Sequence, residues 1–167
     1  QKACLAHVFE TNPAACPPES IVGIAKANTP VLAGTLDGPA YLVSHGGAAF
    51  PDLVVVLQGD GVRVDLTGHT DIKKGITISD FQNLPDVPVN SFELYLPEGR
   101  YSALAAYGSL CRTRLTMPTQ ITAQNGALIK ETTVASVSAC PRARQARKRP
   151  ARTAKHPRHT HRTHAQP

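Results

Sequence analysis

The distribution of charge along the chain changes abruptly at Cys140, and this change limits what each part can fold into. Residues 141–167 contain nine of the eighteen Lys and Arg residues and no Asp or Glu, which gives this segment a formal charge of about +9. Residues 1–140 contain the other nine basic residues and all twelve acids, which leaves a charge of about −3. Because a segment with charge of one sign and few large apolar side chains cannot bury a core, we predict a disordered basic tail after a folded body.

The composition of the body predicts an all-β fold. The chain has fourteen Pro, twelve Gly and no Trp, a composition typical of short strands that are joined by tight turns. Leu53–Leu57 is a continuous apolar run and Val62–Thr67 alternates strictly, with a glycine-rich turn between them, which indicates a hairpin. About eight to ten such strands predict an antiparallel sandwich or a partly open barrel over residues 21–140. Residues 1–20 are interpreted as a linker or the end of a preceding unit.

The four cysteines favour disulfide bonds over a metal site. Their number is even, and no two of them are close enough in the sequence to form the short C-x-x-C pairs that most structural zinc sites use. Disulfide bonds in turn indicate an oxidising compartment.

The pairing of the cysteines can be predicted from a hairpin. Asn125-Gly126 lies between two stretches rich in Thr, Val and Ile, and this dipeptide is typical of a two-residue hairpin turn. Residues that oppose each other across such a turn have numbers that add to 251, as those of Cys111 and Cys140 do. A proline in the first strand could introduce a bulge and change this count by one. We predict a Cys111–Cys140 bond, which leaves Cys4–Cys16 as the second.

The body offers one combination of residues that resembles a catalytic pair. His69 has Asp65 and Asp71 close to it in the sequence, so a carboxylate could orient the imidazole as a general base. No Ser or Cys lies beside them, however, and Gly68–Asp71 is interpreted as a turn in which Asp71 caps the backbone. His45 is placed in a glycine-rich loop tip. We therefore predict no catalytic residues, no cofactor and no metal site.

The basic tail is the strongest candidate for a binding function. Its charge would attract anionic polymers of a cell envelope, and nucleic acid is the alternative partner. Because the tail has no aromatic residue to stack on bases, binding to nucleic acid would not depend on base sequence. A third interpretation is a solvated end that only keeps the protein soluble. The residues that would contact a polyanion are Arg142, Arg144, Arg147, Lys148, Arg149, Arg152, Lys155, Arg158 and Arg162.

Four histidines also lie in the tail. They could gather Zn²⁺, Cu²⁺ or Ni²⁺ loosely, but the surrounding positive charge opposes the binding of a cation. A tail that gains further positive charge in mildly acidic solution is the favoured interpretation. The four residues are His156, His159, His161 and His164.

Short motifs follow one another in a characteristic order: Cys16-Pro17 with Ser20 and Gly23, Leu36-x-Gly38-Pro39-x-Tyr41-Leu42, Pro51-Asp52-Leu53-Val54, Pro85-Asp86-x-Pro88-Val89 with Phe92 and Leu94, Leu110-Cys111, and Gln124-Asn125-Gly126. This string resembles the C-terminal unit of large secreted actinobacterial proteins of uncharacterised function, which consist of tandem β-rich units and often end in a Lys/Arg/His-rich tail. The resemblance covers residues 10–140. It implies an extracellular or cell-surface location and preceding repeat units in the same chain, and it brings no catalytic residues. Since the chain begins with Gln1, we expect it to be processed or cut from a longer protein.

These observations predict a non-enzymatic module. The β body would be structural or adhesive, and the tail would associate with anionic envelope polymers. No apolar run approaches the roughly 20 residues that cross a bilayer, so no transmembrane segment is predicted.

Overall fold

A computed structural model describes residues 2–82, 84–99, 102–104, 108–138 and 140. Two single 3₁₀ turns, Pro13–Ala15 and Pro18–Ser20, precede the main strands. The strands and the α-helix are, in chain order, β1 (Cys4–Leu5), α1 (Ala6–Thr11), β2 (Ile21–Asn28), β3 (Leu36–Ser44), β4 (Asp52–Gly59), β5 (Val62–Lys73), β6 (Ile76–Phe81), β7 (Ser91–Tyr95), β8 (Leu115–Thr122) and β9 (Leu128–Ala135).

Six of these strands form one antiparallel sheet, in the order β6-β5-β4-β3-β2-β7. The short β1 adds in parallel beside the end of β3. The sheet curls into a half-barrel, which confirms the predicted all-β antiparallel class and corresponds to the partly open form. Strands β8 and β9 form a separate two-stranded sheet.

Two tight turns, one at each end of β5, connect this strand to its neighbours β4 and β6. Asp60 and Gly61 join β4 to β5 with φ of 49° and 74°, and Lys74 and Gly75 join β5 to β6 with φ of 53° and 77°. Positive φ at both central residues is the conformation of a type I′ turn, whose twist matches that of the flanking strands. The hairpin predicted between Leu53–Leu57 and Val62–Thr67 is therefore confirmed.

One face of the sheet is covered by the N-terminal segment. The Cys4–Cys16 disulfide links the two ends of this segment, and both cysteines are buried. Phe9 of α1 packs edge-to-face on Tyr41, with ring centroids 5.4 Å apart. Residues 2–20, interpreted from the sequence as a linker or the end of a preceding unit, thus pack on the sheet. The buried residues on this face are Cys4, Phe9, Cys16, Tyr41, Val43, Val54 and Val56.

The opposite face holds a second core, made mostly of small and β-branched residues. Phe81 covers Gly68 there so closely that a Cβ at Gly68 would lie 2.5 Å from the ring. Val64 and Leu66 pack against this core, while the alternate residues Arg63 and Asp65 are exposed, as the alternation along the strand predicts. The buried residues are Val22, Ala25, Ala27, Leu36, Ala40, Val55 and Leu57.

The C-terminal hairpin pairs its cysteines as predicted, but not in the predicted register. Cys111 and Cys140 form a disulfide with a Cα–Cα distance of 5.5 Å. Opposed residues of β8 and β9, such as Thr122 and Leu128, have numbers that add to 250 rather than 251. The predicted two-residue turn is wrong because Gly126 alone takes a positive φ, 81°, and its N–H donates to the carbonyl of Ala123. These features make a three-residue loop with a bulge, so the cysteines bond beyond the strand ends rather than directly across the ladder.

The sequence predictions for the tail concern a part of the chain that is not described. The tail of residues 141–167, and every basic and histidine residue assigned to it, lies outside the described residues. Among the helices that are described, none is long and apolar enough to cross a membrane.

Candidate functional site

The structure places His69 in the middle of a strand. The prediction of a turn at Gly68–Asp71 is wrong, because β5 continues to Lys73 and pairs with β6 from Gly68 to Lys73. His69 lies directly opposite Asp80 in this pairing. Its imidazole is 65% exposed and is therefore held at the surface of the sheet.

The two carboxylates that are near His69 in the sequence have other partners. Asp65 accepts two hydrogen bonds from the Arg63 guanidinium, at 2.8 and 2.9 Å, and this interaction raises the pKa of Arg63. Asp71 pairs with Lys73 at 2.7 Å, and the hydrogen bond from Lys73 lowers the pKa of Asp71. Since strand residues two apart share a face, each acid pairs with the base nearest along β5.

The carboxylate that does contact His69 belongs to Asp52, the first residue of β4. Oδ1 of Asp52 lies 3.1 Å from Nδ1 of His69, and Oδ2 lies 3.1 Å from Nε2 of His45. The Asp52 side chain is only 10% exposed, whereas the His45 and His69 side chains are 43% and 65% exposed. One largely buried carboxylate is thus flanked by two solvent-facing imidazoles. We call these three residues the His–Asp–His cluster.

The pairing of β4 with β5 creates this cluster. Leu53 lies opposite Gly68, so the preceding residue, Asp52, comes beside the following residue, His69. The loop after β3 then returns to β4 and brings His45 to the second carboxylate oxygen. The cluster therefore connects the β3–β4 loop, the start of β4 and the middle of β5.

Sequence reasoning missed Asp52, although the sequence contained a signal for it. The turn at Asp60-Gly61 sets residues whose numbers add to 121 opposite each other, and Asp52 and His69 satisfy this relation. The contact of His45 has no comparable signal, because it depends on the path of a loop.

The surface beside His69 is a shallow depression of about 280 Å³ that is open to solvent. Charges of both signs line it, so it presents no uniform potential to an ionic ligand. Its lining residues are His69, Thr70, Asp71, Lys73, Ile78 and Asp80.

On the same face, burial raises the pKa of the Tyr41 phenol, and the positive charge of Arg63 partly opposes this effect. Tyr41 is itself a core residue beneath Phe9, so its hydroxyl belongs to the packing of the N-terminal segment.

The chemistry that this arrangement supports is limited. Within the described residues, no group of three or more His, Cys, Asp or Glu side chains has an arrangement that could hold a metal ion. The His–Asp–His cluster resembles a clamp, since a buried carboxylate between two titratable rings ties three segments together. No family model, curated protein or solved structure matches the chain.

Proposed function

We propose that this protein is a non-enzymatic, secreted or cell-surface β module with a structural or adhesive role, and that its tail associates with anionic polymers of a cell envelope. The observation that carries the proposal is the segregation of charge. Nine positive charges and no acid lie in residues 141–167, next to a body whose formal charge is about −3. Such a segment concentrates near any polyanion through long-range attraction.

The covalent structure of the body supports an extracellular location. The four cysteines form two disulfides, Cys4–Cys16 and Cys111–Cys140. Structural disulfides persist in oxidising compartments and are rare in the cytosol. Exposed charges on β5 are matched in pairs, Arg63 with Asp65 and Lys73 with Asp71, so that strand adds little attraction for a polyanion.

Nucleic acid is the second candidate, because the same basic residues would neutralise phosphates. Binding of this kind weakens steeply with salt, by up to about 10³ to 10⁵ between 50 and 200 mM for six to ten contacts. The absence of aromatic residues from the tail sequence would make the binding insensitive to base sequence.

The test compares retention of three proteins on purified cell envelopes and on duplex DNA over a salt series. These are the full chain, a truncation to residues 1–140, and a full-length variant in which the nine tail Lys and Arg are replaced by Gln. The variant keeps the length and histidines of the tail, so it isolates the charge. We expect only the full chain to be retained on envelopes at about 150 mM salt.

Two results would change the proposal. Retention on DNA but not on envelopes would favour the nucleic-acid function. Equal retention of all three proteins would contradict any binding role for the tail charges and would assign retention to the β body.

A further inference from the structure

The outer strand β6 has unused hydrogen-bonding groups along its free edge. Among the described residues, β5 is its only neighbour, and the ladder between them runs without a bulge from Ile76 to Phe81. The sequence Ile-Thr-Ile-Ser-Asp-Phe is rich in β-branched residues and has neither Pro nor Lys, and its one charged residue, Asp80, lies next to its end rather than at its centre. A regular, unprotected edge is a template for pairing with another strand.

The opposite outer strand is protected better. β7 has only five residues, carries Glu93 at its centre, and is followed by Pro97 two residues after its end. Short length, charge and nearby proline each discourage a further strand from adding. The two edges of the sheet are therefore not equivalent, and β6 is the one that can accept a partner.

The hairpin geometry identifies the backbone groups that face outward. Lys73 and Ile76 close a two-residue turn, so they form a hydrogen-bonded pair with each other. Hydrogen-bonded and non-bonded pairs alternate along an antiparallel ladder, so Ile78 also bonds inward to β5. The N–H and C=O groups of Thr77 and Ser79 consequently point away from the sheet.

The side chains of β6 are complementary to a second copy of the same strand. If two copies pair antiparallel with Thr77 opposite Thr77 of the second copy, Ile76 faces Ile78 in both directions. The side chains of Ile76 and Ile78 lie on one face and are 65% and 47% exposed. In the same register Asp80 of each copy lies beyond Ile76 of the other, near the β5–β6 turn that carries Lys74. Apolar residues thus meet each other and opposite charges come near each other at both ends.

We propose that the edge of β6 is a self-association surface, at which two copies of this chain join their half-barrels into one continuous sheet about a twofold axis at Thr77. Such an isologous contact uses the same patch on both copies. The proposal is independent of the function of the tail. If that function also holds, a dimer would present two basic tails and bind a polyanion with greater avidity.

The first test measures the self-association of the full chain by sedimentation equilibrium up to about 1 mM, because an edge contact is small and forms weak complexes. Lys74→Asp and Asp80→Lys should each weaken association, since each places like charges together. The double variant exchanges the charges and should restore the wild-type dimer. A wild-type chain that stays monomeric to 1 mM, or a double variant no better than the single ones, would overturn the proposal.

The second test addresses the register. In the proposed pairing, the Cα atoms of Thr77 in the two copies are about 5.5 Å apart, within the range of a disulfide. Thr77→Cys should therefore give a disulfide-linked dimer under mild oxidation. Ser79→Cys is the matched control on the same strand and face, because its two copies would be about 13 Å apart. Equal cross-linking of both variants, with far-ultraviolet circular dichroism confirming that both are folded, would contradict the register.

Discussion

The N-terminal segment on the half-barrel sheet and the β8–β9 hairpin are each closed by one disulfide, yet among the described residues only the first of these bonds lies in a core. Cys4 and Cys16 are 0% and 8% exposed and lie among packed side chains. In the hairpin, every strand residue except the half-buried Leu115 is exposed, and no sheet strand makes more than a marginal contact with it among the described residues. The Cys111–Cys140 disulfide thus closes a hairpin that does not pack on the sheet within the described part of the chain.

The difference arises from the sequences of the two regions. Strands of the sheet carry apolar residues on both faces, as in Val54, Val55 and Val56. Residues on one face pack under the N-terminal segment, and residues on the other face form the second core. Strands β8 and β9 contain Thr and charged residues between their apolar ones. An isolated two-stranded hairpin is marginally stable in water, so here the Cys111–Cys140 bond contributes a large share of its order.

The largest effect is expected from removing the two disulfides separately. In the chain-entropy model, closing loops with separations of 12 and 29 residues contributes about 3 and about 4 kcal/mol, respectively. Cys4→Ala/Cys16→Ala should therefore lower the free energy of unfolding of the body by about 3 kcal/mol and its Tm by more than about 10 °C. Calorimetry of the oxidised protein measures both quantities.

Cys111→Ala/Cys140→Ala is the matched control for this experiment. It should leave the Tm of the body unchanged, because the hairpin does not share a core with the sheet. An equal fall in the Tm of both double variants would show that the hairpin and the sheet unfold as one unit, and would remove the distinction between them.

A smaller effect within the body is expected at the His–Asp–His cluster. Asp52→Asn keeps the shape of the side chain but removes the charge beside His45 and His69, and it should destabilise the body by about 1–2 kcal/mol in urea unfolding. The exposed Asp71 provides the control, since exposed ion pairs contribute little. If Asp71→Asn costs as much as Asp52→Asn, the cluster is not a clamp between three segments.

Two turns with similar sequences explain how much of the fold could be predicted. Asp60-Gly61 and Asn125-Gly126 both have the composition of a two-residue hairpin turn, but only the first forms one, with positive φ at both residues. In the second, Gly126 alone has a positive φ and the loop gains a residue. Both conformations place glycine where only glycine fits well, so the dipeptide does not distinguish them. The register of β8–β9 depends on this difference and was therefore not predictable. The strands and the cysteine pairing do not depend on it and could be predicted.

The candidate site was less predictable than the fold, for a related reason. The register between β4 and β5 follows from a local turn, so Asp52 could have been placed beside His69 from the sequence. The packing of α1 depends instead on the contact between Phe9 and Tyr41, which are far apart in the chain. A helix of six residues has too few turns to show amphipathic periodicity, so no pattern in residues 2–20 indicates that they cover the sheet.

The most direct test of this account is native-state hydrogen exchange of the full oxidised chain, read residue by residue. The central strands β3 and β4 pair on both sides and carry the core, so their amides should exchange only through global unfolding of the body. Amides of β8 and β9 should exchange roughly 100-fold faster or more, through local opening of the hairpin. Equal protection in the two regions would contradict the claim that the folding energy of this protein is concentrated in the half-barrel.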